Sequence, residues 1–378
     1  MSLEDWKNQG LISREISLYK KLLEHNLSIR FLTFGNQKDL RFSNILGSIK
    51  ITTVQKIINS KLPKFQLIKS IFLPLKLKHI FNEIDLIKTN QIRGCWIACV
   101  AKILYKKKLI IRGGYEWLTR YRNFSMKKGI KNNLKYVLNY IWIFLNELIA
   151  YKLADGIILT NKEDISFIVK CFKLKRKLKK KRIIHLLNFV DINLFKPLSL
   201  QKKENHILYI GNLKKVKNLV NLIKAFKDLK DYWLDIIGKG PYEEKLKTLV
   251  KELGLKVNFL GTYPNNKIPE ILNQYEILIL PSYYEANPKV LLEAMSCGIA
   301  CIGSNILGIN TIIKHEENGY LCGTSHNDIK NAIEKLNADN DLKERIGKNA
   351  RIFILNNCSL NSITQKEYNF YEKILEDK

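Results

Sequence analysis

A chain of 378 residues is longer than one ordinary domain and is read as two, and 46 % apolar content lets each bury a core. The formal charge of +29 is uneven: residues 1–198 hold 39 Lys and Arg against 13 Asp and Glu, residues 199–378 hold 25 against 22. Seven cysteines without CxxC spacing or His partners argue against zinc and a disulfide framework, and MSLEDWKNQG lacks the apolar core of a secretory signal, so reduced thiols in a cytoplasmic protein are expected.

In chain order, a loop-like SLEDWKNQG leads to a helix near 11–25. Strand-like runs follow at 27–35, 49–54, 83–89, 108–114 and 154–160, with helices near 65–81, 94–105 and 133–152. A Rossmann-like sheet normally opens with a strand, so the first strand is expected to be missing from this chain, a variant lacking it being the alternative. The most apolar stretch, 137–151, is shorter than the ~20 residues of a membrane span and contains Asn139, Asn146 and Glu147. It is read as a buried or membrane-facing helix. The basic run KCFKLKRKLKKKR, 170–182, reads as a solvated loop, with membrane or acceptor contact as the other reading.

Residues 183–198 and a polar stretch to Asn205 separate the halves. Beyond them, strands at 206–210, 233–237, 256–260, 276–280, 299–303 and 319–323 alternate with helices at 217–230, 242–253, 268–273 and from Asn287 to Gly298. Helices near 325–337, 341–355 and 360–375 close the chain. This alternation predicts a parallel, doubly wound sheet.

The chemistry concentrates between Leu278 and Gly298, LILPSYYEANPKVLLEAMSCG. Glu285 sits on a strand-to-helix loop, Asn287 is the expected N-cap and Pro288 the first helical residue. Glu293 lies eight residues on, among Leu291, Leu292, Ala294 and Met295. Ligands of open α/β sheets bind at that end of the strands, and a helix start offers N–H groups to a phosphate. Carboxylates beside an anion site suit sugar hydroxyls. A helix-capping carboxylate plus a surface glutamate is the plainer reading.

Gly211 follows the 206–210 strand, and Lys217 is expected at the next helix start, within reach of a phosphate. Gly238-Lys239-Gly240-Pro241 is a turn of packing character and no GxGxxG fingerprint. Arg112-Gly113-Gly114-Tyr115 follows a first-half strand as a turn or a binding loop.

These residues resemble the retaining glycosyltransferases of family 4, from about Asn188 to the C-terminus. The ordered matches are Asn188, Val190, Asp191, Phe195 and Pro197; Gly211 and Lys217; Gly238 and Gly261; the E-x7-E pair Glu285 and Glu293; and Asn318-Gly319-Tyr320-Leu321. SLEDW, Gly10, Arg14-Glu15 and IRGGYEW extend the likeness to a subset of that family. The resemblance implies two Rossmann-like parallel-sheet domains facing a cleft, the GT-B arrangement. The expected parts are a basic acceptor domain at 1–187, a linker at 188–205, a donor domain at 206–358 and a helix at 359–378 packing back toward the first domain.

It further implies that Glu293 binds the nucleotide ribose and that Glu285 and Lys217 are catalytic. Glu285 meets the donor sugar; Lys217 holds the diphosphate. Gly211, Asn212, Gly238, Gly261 and the backbone of Ala286, Asn287, Pro288 and Lys289 complete the donor site. Arg112, Gly113, Gly114 and Tyr115 are acceptor-side candidates. Asn212 and Thr311 depart from the Arg and Glu common in the family.

The implied activity is that of a hexosyltransferase-type enzyme (EC 2.4). It moves a sugar from a nucleotide diphosphate-sugar to a hydroxyl acceptor with retention, in polysaccharide, lipopolysaccharide or glycolipid synthesis. No metal and no cofactor are expected. The acceptor is a glycan or lipid-linked molecule, and the basic first half suits an anionic membrane surface, with the protein peripheral on its cytoplasmic face. A non-catalytic nucleotide-sugar-binding relative is the alternative. A nucleic-acid-binding protein is the remote one, because no basic-aromatic platform is present.

Overall fold

The computed structural model describes residues 2–8, 12–58, 69–113, 118, 134–180 and 182–376. They form two compact units: residues 1–187 with 364–378, and residues 188–363.

The second unit is built on one parallel sheet. Its strands are β7 (His206–Ile210), β8 (Trp233–Ile237), β9 (Val257–Phe259), β10 (Ile277–Leu280), β11 (Ala300–Ser304) and β12 (Tyr320–Cys322). The spatial order is β12-β11-β10-β7-β8-β9. At the centre Ile207 pairs with Leu234 on one side and Ile277 on the other. These strands read as near-continuous apolar runs because both faces are covered: Ile277 to Leu280 are all buried. The Lys289–Ser296 and Asn340–Asn357 helices pack on each other and on β11.

Residues 188–205 belong to this unit rather than standing apart. Phe189, Val190 and Phe195 are buried. Val190 pairs with Ser359, and the Arg351 guanidinium donates to the Ile192 and Phe195 carbonyls.

In the first unit, β1 (Arg30–Thr33) pairs with β2 (Lys50–Thr53). A separate parallel sheet runs β3 (Leu86–Lys88), β4 (Lys108–Gly113), β5 (Gly156–Leu159) and β6 (Ile183–His185). The expected single sheet is therefore two ladders among the described residues. Strand β6 falls where the sequence reads as linker; three residues are too short for a periodicity signal, and pairing of Ile183 with Ile157 of β5 makes the strand. SLEDWKNQG, read as a loop, contains the Leu3–Asn8 helix, with Leu3 and Trp6 buried.

The Leu360–Glu376 helix completes this unit. A Cβ on Gly156 would lie 2.9 Å from Phe370 and Ile374, so only glycine admits the helix this close to β5. Glu367 is fully buried and ion-paired to Lys88 and, at 2.7 Å, to Arg112, with the Tyr371 hydroxyl donating to it. Burial alone pushes its carboxyl up; the two cations outweigh that and hold it at about 2.

Candidate functional site

In the second unit the strand order reverses direction at β7 and β10, which lie side by side at the sheet centre. Loops leaving their C-terminal ends run to opposite sides and open a crevice there. The loops after these two strands carry Lys217 and Glu285.

The β7 loop is held by the loop after β8. Gly211 N–H donates to the Ile237 carbonyl at 2.9 Å, Leu213 N–H to Lys239 at 3.0 Å, and Tyr242 N–H to Leu213 at 3.0 Å. A Cβ on Gly238, whose φ is +144°, would sit 1.9 Å from the Gly211 carbonyl oxygen. Gly238 N–H in turn donates to the Gly261 carbonyl at 2.6 Å. Gly211, Gly238 and Gly261 thus form one backbone-to-backbone ledge.

The continuous helix expected from 217 is broken. A 3-10 turn, Lys215–Lys217, precedes Asn218 in the left-handed region at φ 59°, and the helix is Leu219–Ala225. The break is stabilised by the buried Asn218 side chain, which donates to the Pro281 carbonyl at 3.0 Å and the Thr324 carbonyl at 2.8 Å. Lys217 therefore ends a tight turn instead of opening a helix.

That turn aims Lys217 at Glu285. Its ammonium donates to Glu285 Oε1 at 2.5 Å, and the buried Ser282 hydroxyl donates to the same oxygen at 2.7 Å. Tyr283 N–H donates to the Val216 carbonyl at 2.8 Å, locking the two loops together. Beneath them Tyr209 is fully buried, its hydroxyl donating to the Asn212 carbonyl at 3.2 Å. Burial, and then the Glu285 charge, push its phenol well above the ordinary value, so it stays protonated.

Asn287 is not an N-cap. Its side-chain oxygen accepts from Asn188 N–H at 3.2 Å and its carbonyl from the Asn188 amide at 2.8 Å. With that acceptor engaged, Pro288 takes the cap position, and the helix is Lys289–Ser296. Glu293 is 4 % exposed one turn after Lys289, whose ammonium lies 5.3 Å from the Phe189 ring centroid.

Sequence reasoning passed over three contributors: Ser282, Asn218 and Gly308. Gly308 has φ +85°, and a Cβ there would lie 2.2 Å from the Glu285 carbonyl oxygen and 2.6 Å from that of Ala286. A loop glycine after a strand was the one available signal. Two buried donors in this region, the Ser304 hydroxyl at the end of β11 and the Asn287 amide nitrogen, have no hydrogen-bond partner among the described residues.

The first-unit candidates are placed differently. Arg112 is buried in the Glu367 ion cluster, and Gly113 ends β4. Gly114 and Tyr115 lie outside the described residues. Among the described residues no group of three His, Cys, Asp or Glu is arranged to hold a metal.

Residues 190–353 match the family model described as glycosyl transferases group 1. The chain is 31 % identical over 208 residues to the N-acetyl-alpha-D-glucosaminyl L-malate synthase of Bacillus anthracis, a match covering 50 % of this chain and 54 % of that protein. It thus spans about half the length of that relative. It is 26 % identical over 344 residues, 87 % of this chain and 85 % of the other, to a Campylobacter jejuni alpha-1,4-N-acetyl-D-galactosaminyltransferase named for a diphospho-undecaprenol-linked saccharide acceptor. The Anabaena protein HepE, solved with UDP and glucose, superposes with a TM-score of 0.72 at 17 % identity over 94 % of both chains.

Proposed function

We propose that this chain, whose residues 190–353 match the group 1 glycosyl transferase model and which has the GT-B fold, transfers a sugar from a nucleotide diphosphate-sugar to a hydroxyl acceptor. The observation that carries the reading is the Lys217–Glu285 pair at the reversal of strand order, with Glu293 buried on the adjoining helix. Cations there meet a diphosphate; carboxylates meet polyol hydroxyls.

In this reading the donor draws Lys217 from Glu285 onto the diphosphate. Glu293 accepts from the ribose hydroxyls. The bond between the anomeric carbon and the diphosphate oxygen breaks, and negative charge gathers on that oxygen. Lys217 and the N–H groups at the start of the Lys289–Ser296 helix stabilise it. Glu285, freed from Lys217 and oriented by Ser282, faces the positive charge at the anomeric carbon. The acceptor oxygen bonds to that carbon on the same face, its proton passing to the departing phosphate oxygen, so configuration is retained. The charge is met by protein groups, and no metal enters the scheme. UDP is the donor nucleotide we favour, on the HepE complex, and a lipid-linked glycan the acceptor, on the Campylobacter relative.

A panel of nucleotide-sugars tested for thermal stabilisation, followed by transfer assays on the hits, decides the matter. Lys217→Ala is expected to lower turnover by roughly 100-fold, and Glu293→Ala to weaken nucleotide binding more than turnover. If no nucleotide-sugar stabilises the protein, or if both variants retain full activity, the reading is wrong.

A further inference from the structure

The apolar stretch near 137–151 is part of one helix of 20 residues, Leu134–Leu153. One face is buried in the first unit through Ile143, Glu147, Ala150 and Tyr151. The opposite face is apolar too, yet bare: Leu134, Leu138, Ile141, Trp142, Leu145 and Ile149 are 44–72 % exposed. At 100° per residue these six fall within one continuous stripe. The neighbouring Trp96–Tyr105 helix, which packs against this one, adds Ile103 at 61 % and Leu104 at 45 %. Scattered exposed apolar residues are ordinary; a helix-long stripe is not.

The setting is basic. Lys177 sits in the short Lys175–Lys179 helix and donates to the carbonyls of Lys152, at 2.9 Å, and Ala154, at the C-terminal end of the long helix. Burial pushes this ammonium down to about 8. It joins the basic run to the end of the apolar stripe, leaving Lys175, Arg176, Lys179 and Lys180 exposed beside it. In sequence, residues 119–133, which lead into the helix, carry five Lys or Arg and no Asp or Glu.

We propose that the Leu134–Leu153 helix is a lipid-docking element that lies flat in the headgroup region of an anionic bilayer. An apolar stripe with Trp142 on it, bounded by cations, matches the apolar and anionic layers of such a surface. Insertion across the bilayer is excluded for this helix, because its other face is buried in the unit's own core. No helix among the described residues is long and apolar enough to cross a membrane. The proposal goes beyond the transferase reading and does not depend on it, since the test needs neither donor nor acceptor.

The full chain is floated with vesicles of phosphatidylcholine alone and with about 30 % phosphatidylglycerol. Binding to the anionic vesicles is expected, with a blue shift of tryptophan fluorescence that Trp142→Phe abolishes. The double variant Ile141→Glu, Leu145→Glu changes exposed positions only. It is expected to keep its melting temperature and lose vesicle binding by roughly tenfold or more. No binding by the wild-type chain overturns the proposal, and so does equal binding by the double variant. A wild-type dimer that the double variant dissociates, without vesicle binding by either, overturns it in favour of a second copy of this chain.

Discussion

At the scale of single residues, the site depends on backbone proximity as much as on charge. Gly308 lies against the carbonyls of Glu285 and Ala286 at a φ of +85°. Gly308→Ala adds a methyl with no room and a backbone that disfavours it. It is expected to destabilise the protein by roughly 1–3 kcal/mol and to weaken donor binding, read by thermal melts and by titration with a nucleotide-sugar. An unchanged affinity would show that the Glu285 loop is not set by this contact. Ser282→Ala removes one of the two donors on Glu285 Oε1. A loss of about 1 kcal/mol in transition-state stabilisation is expected, seen as a lower kcat with little change in KM. The sequence singled out Glu285 and Glu293 by their spacing and Lys217 by its place after a strand, and the structure brings Lys217 onto Glu285. Ser282 and Asn218 were passed over, because a hydroxyl or amide declares itself only through its partner: Glu285 for Ser282, and the Pro281 and Thr324 carbonyls, on other loops, for Asn218.

At the scale of elements, the Leu360–Glu376 helix is fastened by a buried carboxylate. Glu367 titrates at about 2 in the folded chain against an ordinary 4.5. A depressed carboxyl contributes stability above its unfolded value, and that contribution is lost as pH falls from 4.5 through 2. Glu367→Gln is expected to cost roughly 3 kcal/mol at pH 7, since it leaves Arg112 and Lys88 facing a neutral amide, and the gap from wild type should close toward pH 2. Thermal melts of both proteins from pH 7 to pH 2 check this; a constant gap would mean the cations contribute nothing. The same cluster explains why Arg112 was misleading in sequence. Beside two glycines it resembles a ligand contact, but its partner lies 255 residues away. The helix breaks at Asn218 and Pro288 were hidden likewise, since both are set by contacts from other segments.

At the scale of the whole molecule, the second unit was the legible one: apolar runs between helices foretold all six of its strands. The first unit's edges were less legible because its strands are short and its connections irregular. Two units with separate cores are expected to unfold in two calorimetric transitions. A nucleotide-sugar at about 100 times its Kd should raise only the second unit's transition, by the equivalent of ~2.7 kcal/mol. A single transition, or an equal shift of both, would count against independent units. The first unit also takes in residues 364–378, which are synthesised after the whole of the second. On the ribosome, residues 188–363 are complete before the first unit is. Until the C-terminal segment emerges, β5 lacks the cover of Phe370 and Ile374, and Arg112 and Lys88 have no Glu367. The order of maturation is thus the reverse of the order of translation: the unit begun first is finished after the second, and a chain cut before residue 364 would leave it open.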